Sequence, residues 1–315
     1  MILCCGEALI DFVPLTGEHG YRPCPGGSIY NIAVGLGRLE VPVSFFSKIS
    51  NDFFGDTLLE YLIENGVKTN YCPRSSAPTT LAFVSLSRDG EDSEPQYAFY
   101  ATKSADRSLT ESELPPLISK DVEALHFGSI SLVMEPGATS LETLMRQESG
   151  KRIISLDPNI RPGLIHDRDA YRHRFNEWVK LVDIIKLSQV DLNWIYPDEE
   201  IEEVIENWFR EGISLCILTL GSEGARGFIP NNQPVFVPTP KVEIADTVGA
   251  GETFLAATLA YLHESGFLCN KDELQNISAK QLSDCLNYAN RAAMINCTRE
   301  GANPPYKHEL ESNND

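Results

Sequence analysis

Asp246-Thr247-Val248-Gly249-Ala250-Gly251-Glu252-Thr253-Phe254 is the stretch of this chain best suited to chemistry, and an apolar helical pattern, Leu255–Glu264, follows it. A Gly-Ala-Gly turn that opens a helix exposes consecutive backbone N–H groups, and the helix dipole adds partial positive charge at the same place. The combination suits a phosphate, or negative charge developing on one. The carboxylate of Glu252 follows the turn directly and sits beside that anion hole. There it can take the proton of an acceptor hydroxyl as the hydroxyl attacks phosphorus. The bland alternative is a first-turn acid favoured by the macrodipole alone.

Such a turn needs a strand-and-helix frame to hold it. From residue 120 onward short apolar runs alternate with amphipathic segments. Ala124–Phe127, Arg152–Leu156, Ile184–Leu187 and Leu215–Leu220 read as buried strands. Glu135–Glu148, Asp167–Val182 and Glu199–Arg210 read as helices, and two more helices close the chain, near Thr253–Glu264 and Lys280–Cys297. Strand Ile2–Cys5, helix Asn31–Leu39, strand Val43–Ile49 and helix Phe54–Asn65 give the N-terminal part the same logic. The alternation predicts βαβ units, a mainly parallel sheet and right-handed crossovers. Two stretches break it. Asp11–Pro23 is extended and rich in Pro and Gly, and Thr80–Leu86 and Gln96–Tyr100 read as strands around a polar turn, Arg88–Glu94. A small sheet inserted beyond the strand ends would act either as a lid over the crevice or as a surface hairpin.

Composition bounds the partners. Lys and Arg number 26 against 45 Asp and Glu, a net charge of −19, which speaks against a broad basic surface for nucleic acid or anionic lipid. It leaves a local phosphate site open. No apolar stretch approaches a membrane span, and Ile213–Leu220 has the length of a buried strand. Cys4, Cys5, Cys24, Cys72, Cys216, Cys269, Cys285 and Cys297 form no CxxC pair and no zinc spacing, so reduced thiols are expected. The N-terminus lacks the basic region of a signal peptide, and a cytoplasmic protein is expected.

The Asp246–Glu252 stretch resembles the D-T-x-G-A-G-D signature of the ribokinase-like (PfkB) sugar kinases, with glutamate where the family has aspartate. Other family motifs follow in order. They are Gly6–Asp11, Gly26–Leu39, Asp52–Gly55, Asp157–Arg161, Leu218–Gly224 and Gly301–Pro304, and together they span nearly the whole chain. Within the family the chain most resembles fructokinases, on Thr79–Val84 and Ser104–Leu109.

The resemblance implies one α/β kinase domain over residues 1–315. Its form would be a ribokinase-like three-layer α/β/α sandwich, with a small β-sheet lid from segments about 11–24 and 79–103. It implies transfer of the ATP γ-phosphate to a sugar hydroxyl, with Glu252 as base and the amides of Gly249, Ala250 and Gly251 as anion hole. Asp11, Gly26, Gly27, Asn31 and Arg161 would bind the sugar, Arg161 doubling on the phosphoryl group. Lys186, Ser188, Thr219, Gly221, Gly224, Asn287 and Asn290 would border the nucleotide. The family's N-x-x-E motif reads Ser188-Gln189-Val190-Asp191 here, giving Asp191 a magnesium-linked role, and Asp246 falls where several members bind a monovalent cation such as potassium. Mg-ATP and a sugar are the implied ligands, and a homodimer through the lid is the implied assembly. Alternatives are a 2-keto-3-deoxygluconate kinase and a non-catalytic sugar- or nucleotide-binding regulator. An adenosine-type kinase would need an aromatic pocket. A dinucleotide dehydrogenase would need a complete GxGxxG, which Gly35-Leu36-Gly37 does not supply.

Overall fold

The protein is described from a computed structural model that covers residues 1–15, 19–85, 96–240 and 242–311. The strands are β1 (Ile2–Cys5), β2 (Leu9–Pro14), β3 (Tyr21–Gly26), β4 (Val43–Phe46), β5 (Ile49–Ser50), β6 (Arg74–Ser75), β7 (Thr80–Ser85), β8 (Gln96–Tyr100), β9 (Ala124–Gly128), β10 (Ile153–Asp157), β11 (Ile184–Ser188), β12 (Leu215–Thr219), β13 (Gly224–Phe228) and β14 (Val235–Pro238). The α-helices are α1 (Ser28–Arg38), α2 (Phe53–Glu64), α3 (Gly137–Glu148), α4 (Arg168–Val179), α5 (Gln189–Ile195), α6 (Ile201–Glu211), α7 (Ala250–Glu264), α8 (Lys271–Gln275), α9 (Ala279–Cys297) and α10 (Lys307–Glu311).

The main sheet runs β14-β13-β12-β11-β10-β9-β1-β4. From β4 to β12 every pairing is parallel, and β13 and β14 add an antiparallel edge. Parallel strands buried on both faces read as continuous apolar runs, as Ile2-Leu3-Cys4-Cys5 does. Their side chains divide by alternation. Ile2 and Cys4 join one core with α1, α7 and α9, while Leu3 and Cys5 join another with α3, α4 and α6. The result is the three-layer α/β/α sandwich.

A second sheet, β3-β2-β7-β8, stands apart from the first. The extended Asp11–Pro23 reading resolves into an antiparallel pair, with Asp11 opposite Cys24. The apolar run Val43–Ile49 splits into β4 and β5, and the helix expected from Asn31 begins at Ser28. The Arg88–Glu94 turn, Leu86 and Gly17 lie outside the described residues.

The motifs that carried the narrower resemblance hold the root of this second sheet. Asp52 caps α2 through the Gly55 amide at 2.8 Å, and its carboxylate also accepts the Thr79 amide at 2.9 Å and the Thr79 hydroxyl at 2.7 Å. Asp106 accepts hydroxyls from Thr80 at 2.6 Å and Ser104 at 2.8 Å. The start of β7 is thereby tied to α2 through Asp52, and the two ends of the β7–β8 segment are tied to each other through Asp106. Among the described residues the cysteines are free thiols, and no helix is long and apolar enough to cross a membrane.

Candidate active site

The carboxyl ends of β1, β10, β11 and β12 all lie on one edge of the parallel sheet, where crevices form in such folds. Each delivers polar residues there. Beyond β1 come Glu7 and then Asp11 in β2. Beyond β10 come Asp157, Asn159 and Arg161, and β11 carries Lys186.

Asp11 packs against the turn that follows β3. A Cβ on Gly26 would run into the Asp11 carboxylate, so any side chain there would have to displace that carboxylate. Gly27 has φ 111, and a side chain there would press on Glu7. Burial is the chief cause that pushes Asp11 up to about 7, helped by the charges of Glu252 and Glu7 and opposed by Arg161. Asp11, Glu252, Glu7 and Arg161 therefore share one electrostatic neighbourhood. Asn31 lies half-buried in the first turn of α1, its amide bonded to Gly27 O at 2.9 Å.

At α7, Gly249 is the N-cap, with φ 78. Thr253 N–H donates to Gly249 O at 2.9 Å, so the Gly251 and Glu252 amides precede the first intrahelical bond. The turn is braced from behind. Asp246 accepts the Val248 amide at 3.0 Å and the Gly301 amide at 2.8 Å, and Asn296 donates to Val248 O at 2.8 Å. Each Asp246 oxygen thus accepts one backbone amide and helps shape the loop.

Lys186 adds a fixed charge beneath this turn. Its Nζ stands 3.4 Å from where a Cβ on Gly251 would be, and 2.8 Å from Asp157 Oδ2. Both partners of that ion pair are buried. Burial alone would push the ammonium down, but Asp157, joined by Glu252 and Asp191, reverses this and holds it above the usual lysine range. Burial likewise drives Asp157 up to about 6 against the pull of Lys186.

Several of the expected site residues hold hydrogen bonds within the protein. Ser188 and Asp191 form the capping box of α5, and Asp191 Oδ1 also accepts the Ile160 amide at 3.0 Å. Asp191 therefore fixes the β10 loop to α5, and its oxygens are already hydrogen-bonded. Asn290 is buried, with its amide 3.4 Å from the carbonyls of Val237 and Pro238, tying α9 to β14. Asn287 is exposed and bonds back to Ser283 O at 2.8 Å. Both asparagines make their backbone contacts through the side-chain NH₂ group. Thr219 ends β12 with its hydroxyl 3.4 Å from Leu187 O. Gly221 has φ 58, and Gly224 has φ 137 where a Cβ would strike Val237 O.

Several residues acquire site contacts that the sequence did not assign. Glu7 Oε1 accepts the Ser28 amide at 2.8 Å at the start of α1. Its Oε2 is buried without a hydrogen-bond partner among the described residues. Burial pushes this carboxyl up against the pull of the α1 amides. Asn159 bonds both Glu252, at 3.2 Å, and Ser28, at 2.8 Å. The only advance signal was a charged residue at a strand end and an Asn within a matched motif.

The chain's relatives fit this geometry. The profile of the pfkB family of carbohydrate kinases matches residues 1–309. A fructokinase of Rhizobium leguminosarum bv. trifolii is 42% identical over 274 residues, covering 86% of this chain and 82% of the relative. Among solved structures, a fructokinase of Xylella fastidiosa with bound ATP superposes with a TM-score of 0.86 at 28% identity, over 99% of this chain and 97% of that one. A fructokinase of Vibrio cholerae O395 with fructose, ADP and calcium gives 0.83 at 27% identity, with the same coverages.

Proposed function

The chain belongs to the pfkB family of carbohydrate kinases, and from that premise we propose that it is an ATP-dependent fructokinase making fructose 6-phosphate, with Glu252 as general base. The observation that carries the reading is the convergence of an acid-and-glycine sugar pocket with a helix-capped anion turn. Asp11 packs on Gly26 on one side, Gly249–Gly251 and Lys186 lie on the other, and Glu252 sits between, within charge range of both.

Asp11, ionised, accepts hydrogen bonds from two sugar hydroxyls, and the Gly26–Gly27 turn lets the sugar approach backbone. Glu252 takes the proton of the 6-hydroxyl as its oxygen bonds to the γ-phosphorus. The bond from that phosphorus to the bridging oxygen breaks, and ADP leaves with the electron pair. The Gly251 and Glu252 amides, Lys186 and Arg161 offset the charge on the transferring group. Magnesium would neutralise phosphate oxygens. Among the described residues no three acids, histidines or cysteines gather to hold a metal. Asp157 and Asp191, which lie within charge range of Lys186 at this edge, would hold the ion.

The pocket also argues against a sugar acid. Glu252 and Glu7 act on Asp11 as like charges that Arg161 opposes, while Lys186 stands on the phosphate side beneath Gly251; this acidic balance around Asp11 disfavours a substrate carboxylate. The test is a panel of fructose, glucose, ribose, 2-keto-3-deoxygluconate and adenosine with Mg-ATP, following ADP release, together with Glu252→Gln. Fructose should give the highest kcat/KM, and Glu252→Gln should lose at least about 100-fold, the lower range for a general base. Preference for 2-keto-3-deoxygluconate, or an undiminished Glu252→Gln, would sink the assignment.

We further propose a homodimer through the second sheet, which would also serve as lid. Tyr21, Phe53 and Tyr100 are 47%, 71% and 65% exposed; the two tyrosines meet Phe83 of the Phe12–Phe83 stack edge-on, and Phe53 packs on Phe54, which meets Phe12. A contiguous aromatic face of this kind favours a covering partner. Sedimentation of the natural chain and of Tyr100→Lys tests it: a monomer in both cases removes the proposal.

A further inference from the structure

The carboxylate assigned as base is held by a side chain that takes no part in bond making. Asn159 Nδ2 donates to Glu252 Oε1 at 3.2 Å and to Ser28 Oγ at 2.8 Å, while its Oδ1 accepts from Arg161 Nη1 at 2.7 Å. Those three bonds fix the amide's orientation. Flipped, its carbonyl oxygen would face the Glu252 carboxylate and its NH₂ would face the Arg161 guanidinium. The backbone is equally particular: Asn159 has φ 36, outside the regions most L-residues favour and more open to asparagine. Ser28 is itself fixed, since its amide donates to the buried Glu7 at 2.8 Å. A continuous chain of contacts thus runs Glu7, Ser28, Asn159, Glu252.

We propose that Asn159 is a positioning residue that aims the Glu252 carboxylate and couples that aim to the Gly26–Gly27–Ser28 turn that receives the sugar. The inference rests on the reading of Glu252 as base. A glutamate carries one more rotatable bond than the aspartate this family signature normally has, so its carboxylate samples more rotamers. A misplacement of about 1 Å can lower a rate on the order of 100-fold. The Asn159 amide removes that freedom by holding Oε1, which leaves Oε2 to meet the hydroxyl proton. Ser28 follows the sugar turn directly, so any shift of the turn on sugar binding reaches Asn159 through one 2.8 Å contact.

Two variants separate aiming from folding. Asn159→Gly tolerates the left-handed backbone and deletes the amide. Asn159→Asp keeps the shape and the Arg161 partner but sets a second carboxylate against Glu252. Each should lower kcat by about 30- to 100-fold, the range for a base displaced by about 1 Å, with KM for fructose and ATP within about threefold. In a Glu252→Asp background the shorter side chain withdraws from Asn159. Adding Asn159→Gly there should cost less than about threefold more, a non-additivity that mere loosening of the loop would not produce. The inference is overturned if Asn159→Gly keeps kcat within threefold, if the loss falls on KM instead, or if the cost is equal in both backgrounds. Glu252→Gln, assayed alongside, distinguishes the failures: full activity there removes the base itself, whereas an inactive Glu252→Gln beside an unaffected Asn159→Gly removes only the positioning role.

Discussion

Replacing Asp11 with asparagine should abolish sugar binding and yet stabilise the free protein, with a pH dependence set by one buried charge. The Asp11 carboxyl is raised from 3.8 to about 7 by burial first, then by Glu252 and Glu7. A raised pKa means that the folded chain holds this proton more tightly than the unfolded chain does. Its favourable contribution is complete below 3.8 and is lost as pH climbs through about 7. At about 1.36 kcal/mol per pK unit, a shift of roughly three units bounds the loss at about 4 kcal/mol above neutrality. The side chain is half-buried, so solvent screens part of it, and a measurable gain of about 1–2 kcal/mol at pH 8 is expected for Asp11→Asn. At pH 5 the carboxyl is still protonated in the folded chain, and the gain should be smaller by about 1 kcal/mol. Asparagine keeps the shape that packs against Gly26. Urea melts of both chains at pH 5 and pH 8, with calorimetric titration of fructose, measure both effects. A gain that is equal at the two pH values, or absent at pH 8, refutes the raised carboxyl. Unchanged fructose affinity refutes the place of Asp11 in the sugar pocket.

The same carboxyl predicts that KM for fructose rises as pH falls below about 7, because a protonated Asp11 can no longer accept from two hydroxyls; steady-state kinetics between pH 6 and 8 in the natural chain should show this, and a flat KM would contradict it. Lys186→Met leaves Asp157 buried without its partner, and removal of one member of such a pair costs about 3–5 kcal/mol, so thermal melting should show a marked drop. The paired Lys186→Met/Asp157→Leu chain should recover most of that stability while remaining inactive, since the charge beneath Gly251 is still missing.

What the sequence disclosed depended on the range of the physics involved. The sheet strands were legible because Ile2–Cys5 is apolar throughout and Ile184–Leu187 is apolar but for Lys186, and the helices because their apolar positions recur at helical spacing. Gly249–Glu252 was legible because an anion turn is built from neighbours in the chain. The β13–β14 edge was missed, since Gly224–Phe228 carries two glycines and gains its strand character from pairing with β12. The partners of Asp191 and Asn290 were not legible, because type and motif position say nothing about which hydrogen bonds a side chain makes; the Ile160 amide and the Val237 carbonyl become visible only in three dimensions.

Asn159 shows the limit most sharply. Its partners Ser28 and Glu252 lie 131 and 93 residues away along the chain, and no local pattern announces either contact. Yet the departure at Glu252 makes sense only with that contact in view. A longer carboxylate in an anion-hole site is a loss of aim unless something re-aims it, and a donor on the neighbouring strand loop does so without any change in the signature itself. The residue that decides whether glutamate serves here is thus not adjacent to it in sequence, and the Asn159→Gly and Glu252→Asp pair measures that dependence directly. If the two substitutions act independently, the glutamate needs another explanation than the geometry around Oε1.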